Sequence, residues 1–289
     1  MNLKILITGS KGQLGNEIRL LEDSRPEWEF IYTDIEELDI TNQKALRDFF
    51  TKFQPDVLVN CASYTAVDKA EENEELAEMI NAKAVDYLAK ACSDHQCFMV
   101  HVSTDFVFGG EKNTPYEESD FPNPLSAYAR SKFHGEQAFM DHATHGVLMR
   151  TSWLYSSFGF NFVKTMMKLG QERDELGVVY DQVGTPTYAR DLAKAILQMI
   201  DSKEKIKKTE IFHFSDEGIA SWYDFAVSVM EIAALNCRVK PLLTFEYPLP
   251  AKRPAFSVMS KKKISEFLSV NIPHWRNSLE ECIHKLKQM

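Results

Sequence analysis

The sequence predicts an α/β protein built on a doubly wound parallel sheet, and three observations carry this prediction. Short apolar, β-branched runs recur through residues 1–155, beginning with residues 3–8. Stretches of helix-forming residues separate these runs, as in strand–helix–strand units. A glycine-rich turn, Gly9 to Gly15, joins the first run to the first helical stretch. Right-handed crossovers between such strands give a parallel sheet with helices on both faces.

Each element has its own local signal. The predicted strands are the short apolar runs at 3–8, 29–33, 55–62, 98–104 and 146–152. The helices between them are predicted from clusters of good helix formers at about 16–21, around 45–50, over 71–93 and after 123–128. Later in the chain we predict helices near 160–172, 189–201, 221–235 and 278–287, one strand near 211–214, and a proline-rich loop over 241–254.

After residue 155 the regular alternation of strands and helices is lost, which predicts that the chain has two domains. Residues 1–155 are expected to form the sheet domain, and residues 156–289 mainly a smaller lobe from which some segments return to the sheet. The lobe would lie against the carboxyl edge of the strands, where ligands bind in open α/β folds.

The composition excludes several classes of protein. The chain has 289 residues, 44% hydrophobic and 26% charged, which is ordinary for a globular protein. With 33 basic and 42 acidic residues the formal charge is −9, so a nucleic-acid partner is not expected. No run approaches the roughly 18 apolar residues of a membrane span, and the amino terminus lacks signal-peptide features.

The cysteines and histidines suggest neither a disulfide framework nor a metal centre. The cysteines are odd in number and contain no CxxC pair: Cys61, Cys92, Cys97, Cys237 and Cys282. We interpret them as reduced thiols of a cytoplasmic protein. The eight histidines show no HxH or HExxH pattern, and no metal site is predicted.

The glycine turn is the first candidate functional feature. Gly9, Gly12 and Gly15 have the spacing GxxGxxG between a strand and a helix. Glycines there permit a tight turn and close approach to a pyrophosphate, and the following helix offers free N–H groups. The prediction is a dinucleotide site that includes Ser10, Lys11, Gln13 and Leu14.

Two residues near this turn leave the choice of dinucleotide open. Asp34 stands about 20 residues past the turn at the expected end of the second strand, where an acid accepts from the adenosine ribose. Asp39 and Ile40 could flank the adenine. Lys11 could instead meet a ribose 2′-phosphate, so the residues do not decide between NADH and NADPH.

The most specific constellation is Thr104 with Tyr128 and Lys132. Tyr128 and Lys132 are four residues apart and share a helix face. An ammonium beside a phenol is expected to lower the phenol pKa, which would make Tyr128 a workable acid near neutral pH. Thr104 ends a predicted strand, from which its hydroxyl could reach the same substrate oxygen.

These motifs resemble those of the extended short-chain dehydrogenases/reductases, and more narrowly those of the dTDP-4-dehydrorhamnose reductase family. The matching segments run in order along nearly the whole chain: Gly9 to Gly15, residues 55–62, Tyr64 to Glu71, Val102 to Phe108, Tyr128 with Lys132, Arg150 to Tyr155, Asp181 to Thr187, and Arg253 with Pro254. The strings TAVDxAE and RTSWxY are more specific than the glycine turn.

The resemblance implies a Rossmann-like fold with a substrate-binding lobe and assigns roles to further residues. Thr104, Tyr128 and Lys132 would form the catalytic triad. Ala62, Ser63 and Tyr64 would line the cofactor, with Tyr128 and Lys132 also reaching it. The substrate side would comprise Thr65, Val67, Thr104, Trp153, Asn161, Phe162 and Arg253. A guanidinium such as that of Arg253 suits a diphosphate because it donates two bonds at once.

The sequence departs from the family pattern at two places. Ser63 and Tyr64 stand where the family often has a small residue and His. Some members carry a dimer-bridging magnesium with one carboxylate ligand near the carboxyl terminus, where this chain has Lys285 to Met289 and no acid. No magnesium is therefore expected, and a homodimer is left open.

The expected function is NAD(P)H-dependent reduction of the C4 keto group of a dTDP-linked 6-deoxysugar, a nucleotide-sugar substrate of polysaccharide biosynthesis. Two alternatives stay open at this stage. One is a reductase of another nucleotide-linked 4-ketosugar. The other is a non-enzymatic binding subunit that resembles the regulatory subunit of methionine adenosyltransferase.

Overall fold

The computed structural model describes residues 3–288. Its strands are β1 (Leu3–Thr8), β2 (Trp28–Tyr32), β3 (Val57–Asn60), β4 (Phe98–Thr104), β5 (Gly146–Thr151), β6 (Leu154–Tyr155), β7 (Glu175–Val179), β8 (Val183–Gly184), β9 (Thr187–Tyr188), β10 (Glu210–His213), β11 (Ala220–Ser221) and β12 (Arg238–Leu242). Its helices are α1 (Gln13–Arg19), α2 (Gln43–Phe53), α3 (Val67–Ala70), α4 (Glu74–Glu78), α5 (Ala84–Asp94), α6 (Ala127–His142), α7 (Phe162–Glu172), α8 (Ala189–Asp201), α9 (Trp222–Ala233), α10 (Lys262–Leu268) and α11 (Trp275–Gln288).

Within residues 3–288, six strands form one parallel sheet in the order β2-β1-β3-β4-β5-β10. The chain passes from β1 outward to β2 and then returns to β3 on the other side of β1, so the order reverses there. In such sheets the crevice outside the carboxyl ends at the reversal binds ligands. The predicted doubly wound parallel sheet is confirmed.

Alternation along the strands gives this sheet two packed faces. Ile5 points to the face covered by α1 and α8, where it packs in a cluster with Ile18 and Leu192. Leu6 points the other way, into a cluster with α2, α5 and α6 that includes Leu88. Burying each aliphatic side chain contributes roughly 1.5–3 kcal/mol, so both helical layers are fixed to the sheet.

The smaller lobe has a core of its own. Phe225 of α9 and Leu279 of α11 are fully buried in a cluster with residues of α7 and β7. Ser221 begins α9 with a capping box, since its side chain accepts from the Asp224 N–H while the Asp224 carboxylate accepts from the Ser221 N–H. Later residues also return to the sheet, because β10 pairs with β5 and α8 packs beside α1. No helix within residues 3–288 has both the length and the apolar character that crossing a bilayer requires.

Several helices and strands have the bounds that the sequence predicted, and others differ from the prediction for physical reasons. The strands at 3–8 and 98–104 and the helix at 189–201 are confirmed. The predicted 71–93 helix is divided, because a π-turn at 79–83 joins α4 to α5. The segment read as loop from 241 contains the end of β12, where Pro241 is tolerated because β12 pairs on one side only. The sequence did not predict β7 or α10.

Candidate active site

The glycine turn lies at the reversal of the sheet, between the ends of β1 and β3. Gly9 has φ +64°, and a Cβ there would lie 2.6 Å from the Ala62 backbone nitrogen. At Gly15 a Cβ would lie 2.5 Å from Ser10 Cα, so α1 packs directly on the turn. Glycine is therefore required at positions 9 and 15 by the close packing of the turn on the segment after β3 and on α1. These residues fit a dinucleotide pyrophosphate.

Four charged side chains form the rim beside this turn. The Asp34 carboxylate accepts from the Lys11 backbone N–H over 2.9 Å. The Lys11 ammonium extends to Glu36 at 2.7 Å and Glu37 at 3.4 Å. The pKa of Lys11 is raised, chiefly by its hydrogen bond with Glu36. Asp34 and Lys11 therefore lie together, with Lys11 held by acids of the β2–α2 loop.

Other predicted cofactor residues take structural positions. Leu14 and Ile40 have their side chains in the core, with 4% and 7% of their surface exposed. The Asp39 carboxylate accepts from the Thr41 N–H and hydroxyl. Gln13 faces the smaller lobe, where its side-chain oxygen accepts from Asn161 over 3.0 Å. For Leu14 and Ile40, the backbone alone remains available to a ligand.

The segment after β3 is held in place by a residue that sequence reasoning missed. The Asn81 side-chain oxygen accepts from the Ser63 hydroxyl and the Tyr64 N–H, each over 2.9 Å. Its amide donates to the Tyr64 carbonyl and to Ser131 of α6. Asn81 is 1% exposed and belongs to the π-turn. It therefore joins the segment containing Ser63 and Tyr64 to the helix that carries Tyr128.

Thr104, Tyr128 and Lys132 lie at the carboxyl end of β4 and on α6. All three side chains are buried, at 7%, 8% and 2% exposure of the residue. The Thr104 hydroxyl accepts from the Phe106 N–H and so caps a 3-10 turn at Asp105–Val107. The Lys132 ammonium donates to the Val102 carbonyl over 2.7 Å.

The titration of this pair differs from the sequence-based expectation. Burial raises the pKa of Tyr128 to about 12, against a hydrogen bond with Thr104 that lowers it, and the Asp105 charge raises it further. Burial also lowers the pKa of Lys132 to about 8. The expectation that Lys132 lowers the Tyr128 pKa is therefore wrong for the described residues, because desolvation dominates.

Asp105 is a second residue that the sequence analysis missed. It follows Thr104 directly, is 1% exposed, and accepts from the Thr104 hydroxyl over 3.2 Å. Burial raises its pKa to about 7. Its place after a strand-terminal Ser-Thr pair could have signalled it, because carboxyl ends of parallel strands carry the ligand edge.

An aromatic stack stands where β5 leaves the sheet. Trp153 has φ +46°, a conformation rarely adopted by a bulky residue. Its ring stacks on Trp222 of α9, and Trp222 in turn contacts Phe162 with 4.8 Å between centroids. Trp153 is half-buried. Trp222 was missed because nothing local in its sequence connects it to Trp153.

Two predicted substrate residues already use their polar groups within the protein. Asn161 caps α7 through its side-chain oxygen, which accepts from Lys164 N–H, and its amide donates to Gln13 and two backbone carbonyls. The Arg253 guanidinium donates twice to Asp68, over 2.7 Å and 3.1 Å. Asp68 was not singled out from the sequence.

The remaining substrate candidates lie near Tyr128. Val67 of α3, Tyr64 and Phe106 are partly buried against the cluster that contains Tyr128. Thr65 is exposed between them. Across residues 3–288 no group of three or more His, Cys, Asp or Glu side chains is arranged to hold a metal ion.

A parallel sheet with a glycine turn at its reversal, Thr104 at the end of β4, and Tyr128 and Lys132 on α6 is the arrangement of an extended short-chain dehydrogenase/reductase. The chain belongs more narrowly to the family whose model is described as the RmlD substrate binding domain, which matches residues 3–288. Both conclusions agree with the resemblance seen in the sequence.

Relatives of the chain match along nearly its whole length. The dTDP-4-dehydrorhamnose reductase of Aggregatibacter actinomycetemcomitans is 38% identical over 285 residues, covering 96% of this chain and 97% of that protein. The crystal structure of a dTDP-4-dehydrorhamnose reductase from Clostridium acetobutylicum ATCC 824 has a TM-score of 0.93 and 45% identity, covering 99% and 100%. That of the Bacillus anthracis str. Ames enzyme in complex with NADP has a TM-score of 0.93 and 35% identity, with the same coverage.

Proposed function

We propose that this protein reduces the C4 keto group of dTDP-4-dehydro-L-rhamnose to dTDP-L-rhamnose with NADPH or NADH. One observation carries the proposal above the rest. Thr104 at the end of β4 and Tyr128 and Lys132 on α6 lie at the same carboxyl edge of the sheet as the glycine turn. Relatives that carry the name dTDP-4-dehydrorhamnose reductase cover nearly the whole chain, which supports this substrate.

The glycine turn and the segment after β3 are the residues that would hold the dinucleotide. A bound nicotinamide supplies a hydride to the carbonyl carbon, which is chemistry no side chain offers. The backbone from Gly9 to Gly15 accommodates the pyrophosphate, and Asp34 lies within reach of the turn through Lys11. Ser63 and Tyr64, fixed by Asn81, border the same crevice.

The triad acts on the carbonyl oxygen. Tyr128 gives its proton to the alkoxide oxygen that develops at C4, a role suited to a phenol that is fully protonated at neutral pH. Thr104, whose hydroxyl donates to Asp105 in the described structure, would turn this proton to the same oxygen and stabilise its growing charge. Lys132, whose ammonium donates to the Val102 carbonyl at the end of β4, would bind the nicotinamide ribose.

The smaller lobe supplies the substrate side. The apolar face of the Trp153 and Trp222 stack suits the methyl group and ring carbons of a deoxysugar. Arg253, with its planar fork, is the proposed partner of the diphosphate and would exchange bonds with Asp68 to reach it.

Turnover with purified substrate tests the proposal. The full chain is mixed with dTDP-4-dehydro-L-rhamnose and either NADPH or NADH, and loss of absorbance of the reduced nicotinamide is followed. A Tyr128→Phe protein is the matched control, since only one oxygen is removed. Faster turnover of a different nucleotide-linked 4-ketosugar would assign that sugar as the substrate instead. Absence of turnover with every ketosugar would overturn it in favour of a binding role.

The location and assembly are part of the same proposal. Reduced dinucleotides are cytoplasmic metabolites, and the described cysteines are all free thiols, which agrees with a reducing compartment. We further infer a homodimer from the resemblance, which sedimentation of the full chain measures directly.

A further inference from the structure

A buried ion pair between Arg150 and Glu136 lies one helical turn along α6 from Lys132. The Arg150 guanidinium donates from Nε to Glu136 Oε1 over 2.9 Å and from Nη2 to Oε2 over 2.7 Å. The Ser103 hydroxyl donates to the same Oε1 over 2.6 Å. Both charged side chains are 3% exposed. The Glu136 carboxylate is thus fully engaged and shielded from solvent.

The sheet register explains how these groups meet. Ser103 of β4 is paired with Arg150 of β5, which is paired with His213 of β10. Residues paired across neighbouring strands project to the same face. That face carries α6, where Glu136 stands one turn beyond Lys132. The network therefore joins the strand that ends in Thr104 to the helix that carries Tyr128 and Lys132.

A buried ion pair rarely repays its desolvation in stability alone, so its presence beside a catalytic group calls for a local reason. Three charged groups share this region: the cations Lys132 and Arg150 and the anion Glu136. Burial lowers the pKa of Lys132, whereas the charge of Glu136 raises it. Without Glu136, Arg150 would lose its carboxylate partner and Lys132 would lose the negative charge that raises its pKa.

We propose that Glu136 is a positioning residue, held by Ser103 and Arg150, that keeps Lys132 in its charged form at the end of β4. Arg150 limits this effect, because it neutralises part of the charge that Lys132 experiences. The inference rests on the proposed function for its kinetic consequence, whereas the charge of Lys132 can be measured without substrate.

Other titratable groups face the two partners and bear on the test. On the side of Lys132, the titratable group that its charge affects is His101 of β4. Burial and the Lys132 charge lower the pKa of His101 well below its usual range, so this ring is neutral.

Around the ion pair stand His213 and Glu118. His213 Nε2 lies 3.4 Å from Arg150 Nη1, and burial with the Arg150 charge lowers its pKa to about 3, so it accepts as a neutral ring. The Glu118 carboxylate accepts from the His213 backbone N–H, and burial raises its pKa. The His213 ring thus stays neutral through the range in which Lys132 titrates.

The charge of Lys132 is read directly by NMR on the full chain with ¹³C at the lysine Cε. The resonance is assigned by its loss in Lys132→Arg and followed against pH. We expect Glu136→Gln to lower the Lys132 midpoint by about one pH unit. Arg150→Gln is expected to raise it, because the Glu136 charge is then uncompensated. Asp141→Asn, an exposed charge change on the same helix, serves as the control and leaves the midpoint in place.

Opposite shifts separate this role from a merely structural one. Disruption of the fold would move both single variants in the same direction, and that result, or no shift in either, overturns the proposal. Should Glu136→Gln fail to fold, Glu136→Gln with Arg150→Gln removes both charges together and is expected to titrate below the wild type. Glu136→Asp is expected to restore most of the midpoint.

The alkaline limb of kcat/KM against pH provides the link to the reaction. It is expected to move with the Lys132 midpoint in each variant. A wild type that titrates as expected but reduces no ketosugar would refute the proposed function and leave the inference about Lys132 standing. If the alkaline limb of kcat/KM stays in place in a variant whose Lys132 midpoint has shifted, the charge of Lys132 does not control the reaction.

Discussion

The indole of Trp153 lies flat on the indole of Trp222, with 3.6 Å between ring centroids and 7° between planes. One face of Trp153 is therefore covered by α9, although the residue as a whole is only half-buried. Its left-handed backbone, φ +46°, adds a local cost that surrounding packing must offset. The ring also packs against Gly184, where an added Cβ would lie 2.7 Å from Trp153 Cε2, so the substrate contact proposed for Trp153 would use the part of the ring that stays exposed.

Trp153→Ala is expected to raise KM for the nucleotide sugar and to lower kcat, because the C4 carbonyl is no longer held in place. The loss of stability should fall below the roughly 3–5 kcal/mol typical of a fully buried tryptophan. Trp153→Phe keeps an aromatic face and is the matched control. Steady-state kinetics and thermal unfolding measure both effects. A large fall in Tm with unchanged kinetics would assign Trp153 to the core instead.

Tyr128→Phe should keep its fold and its affinity for NADPH while kcat falls by about 10²–10⁴-fold, the usual contribution of a positioned acid. The phenol oxygen is the only atom removed, and the ring still packs edge-on against Phe106. Turnover and fluorescence titration with NADPH give the two values. Near wild-type turnover would transfer the acid role to another group.

Local patterns predicted the parts of the site that are close in sequence. The glycine turn, and Tyr128 with Lys132 on one helix face, could be read because their geometry is set within a few residues. Asn81, Trp222 and Asp68 could not, because their partners are reached only after the chain has folded.

The pKa of Tyr128 also depends on residues distant in sequence, so local patterns could not predict it. The spacing places Tyr128 and Lys132 on one helix, but the desolvation that raises the Tyr128 pKa depends on how completely the surrounding chain covers the phenol. In the same way, the parallel order of the sheet followed from the strand–helix rhythm. The π-turn that carries Asn81 leaves no pattern in residues 71–93.

Asp34 and Glu36 are both expected to favour NADH over NADPH, so removing either charge should shift cofactor preference toward NADPH. Asp34→Ala is expected to weaken the binding of NADH more than the binding of NADPH. The variant removes an acceptor for the ribose 2′-hydroxyl and a charge that repels a 2′-phosphate. Glu36→Gln releases the Lys11 ammonium and is expected to favour NADPH. Dissociation constants for both cofactors test this, and equal changes for the two cofactors would mean that these residues do not face the ribose.

Arg253→Ala is expected to raise KM for the nucleotide sugar by roughly 10–100-fold, the worth of hydrogen bonds to a charged group. The matched variant is Asp68→Ala, which removes the tether between the two side chains together with a hydrogen bond from the Ala251 N–H. It should raise KM far less, because Arg253 remains to meet the diphosphate. Equal increases in the two variants would show that Arg253 serves only to hold Asp68.

The buried carboxyl of Asp105 should make stability depend on pH. Burial raises its pKa to about 7 in the folded protein from a usual value of 3.8, so folding takes up a proton between these values. A group of this kind favours the folded state below pH 3.8, and that contribution is lost as pH rises through about 7. Asp105→Asn removes the ionisation while its side-chain oxygen can still accept from Thr104.

The Tm of Asp105→Asn should therefore exceed that of the wild type by an amount that grows from pH 4 to about pH 7 and then levels off, by roughly 2–4 °C for each kcal/mol recovered. Thermal unfolding of both proteins across this range measures the difference. Asp141→Asn, which removes an exposed carboxylate, should show no such growth. A constant difference between Asp105→Asn and the wild type would mean that Asp105 stays ionised in the folded protein, with its charge compensated by the surrounding hydroxyl and N–H groups.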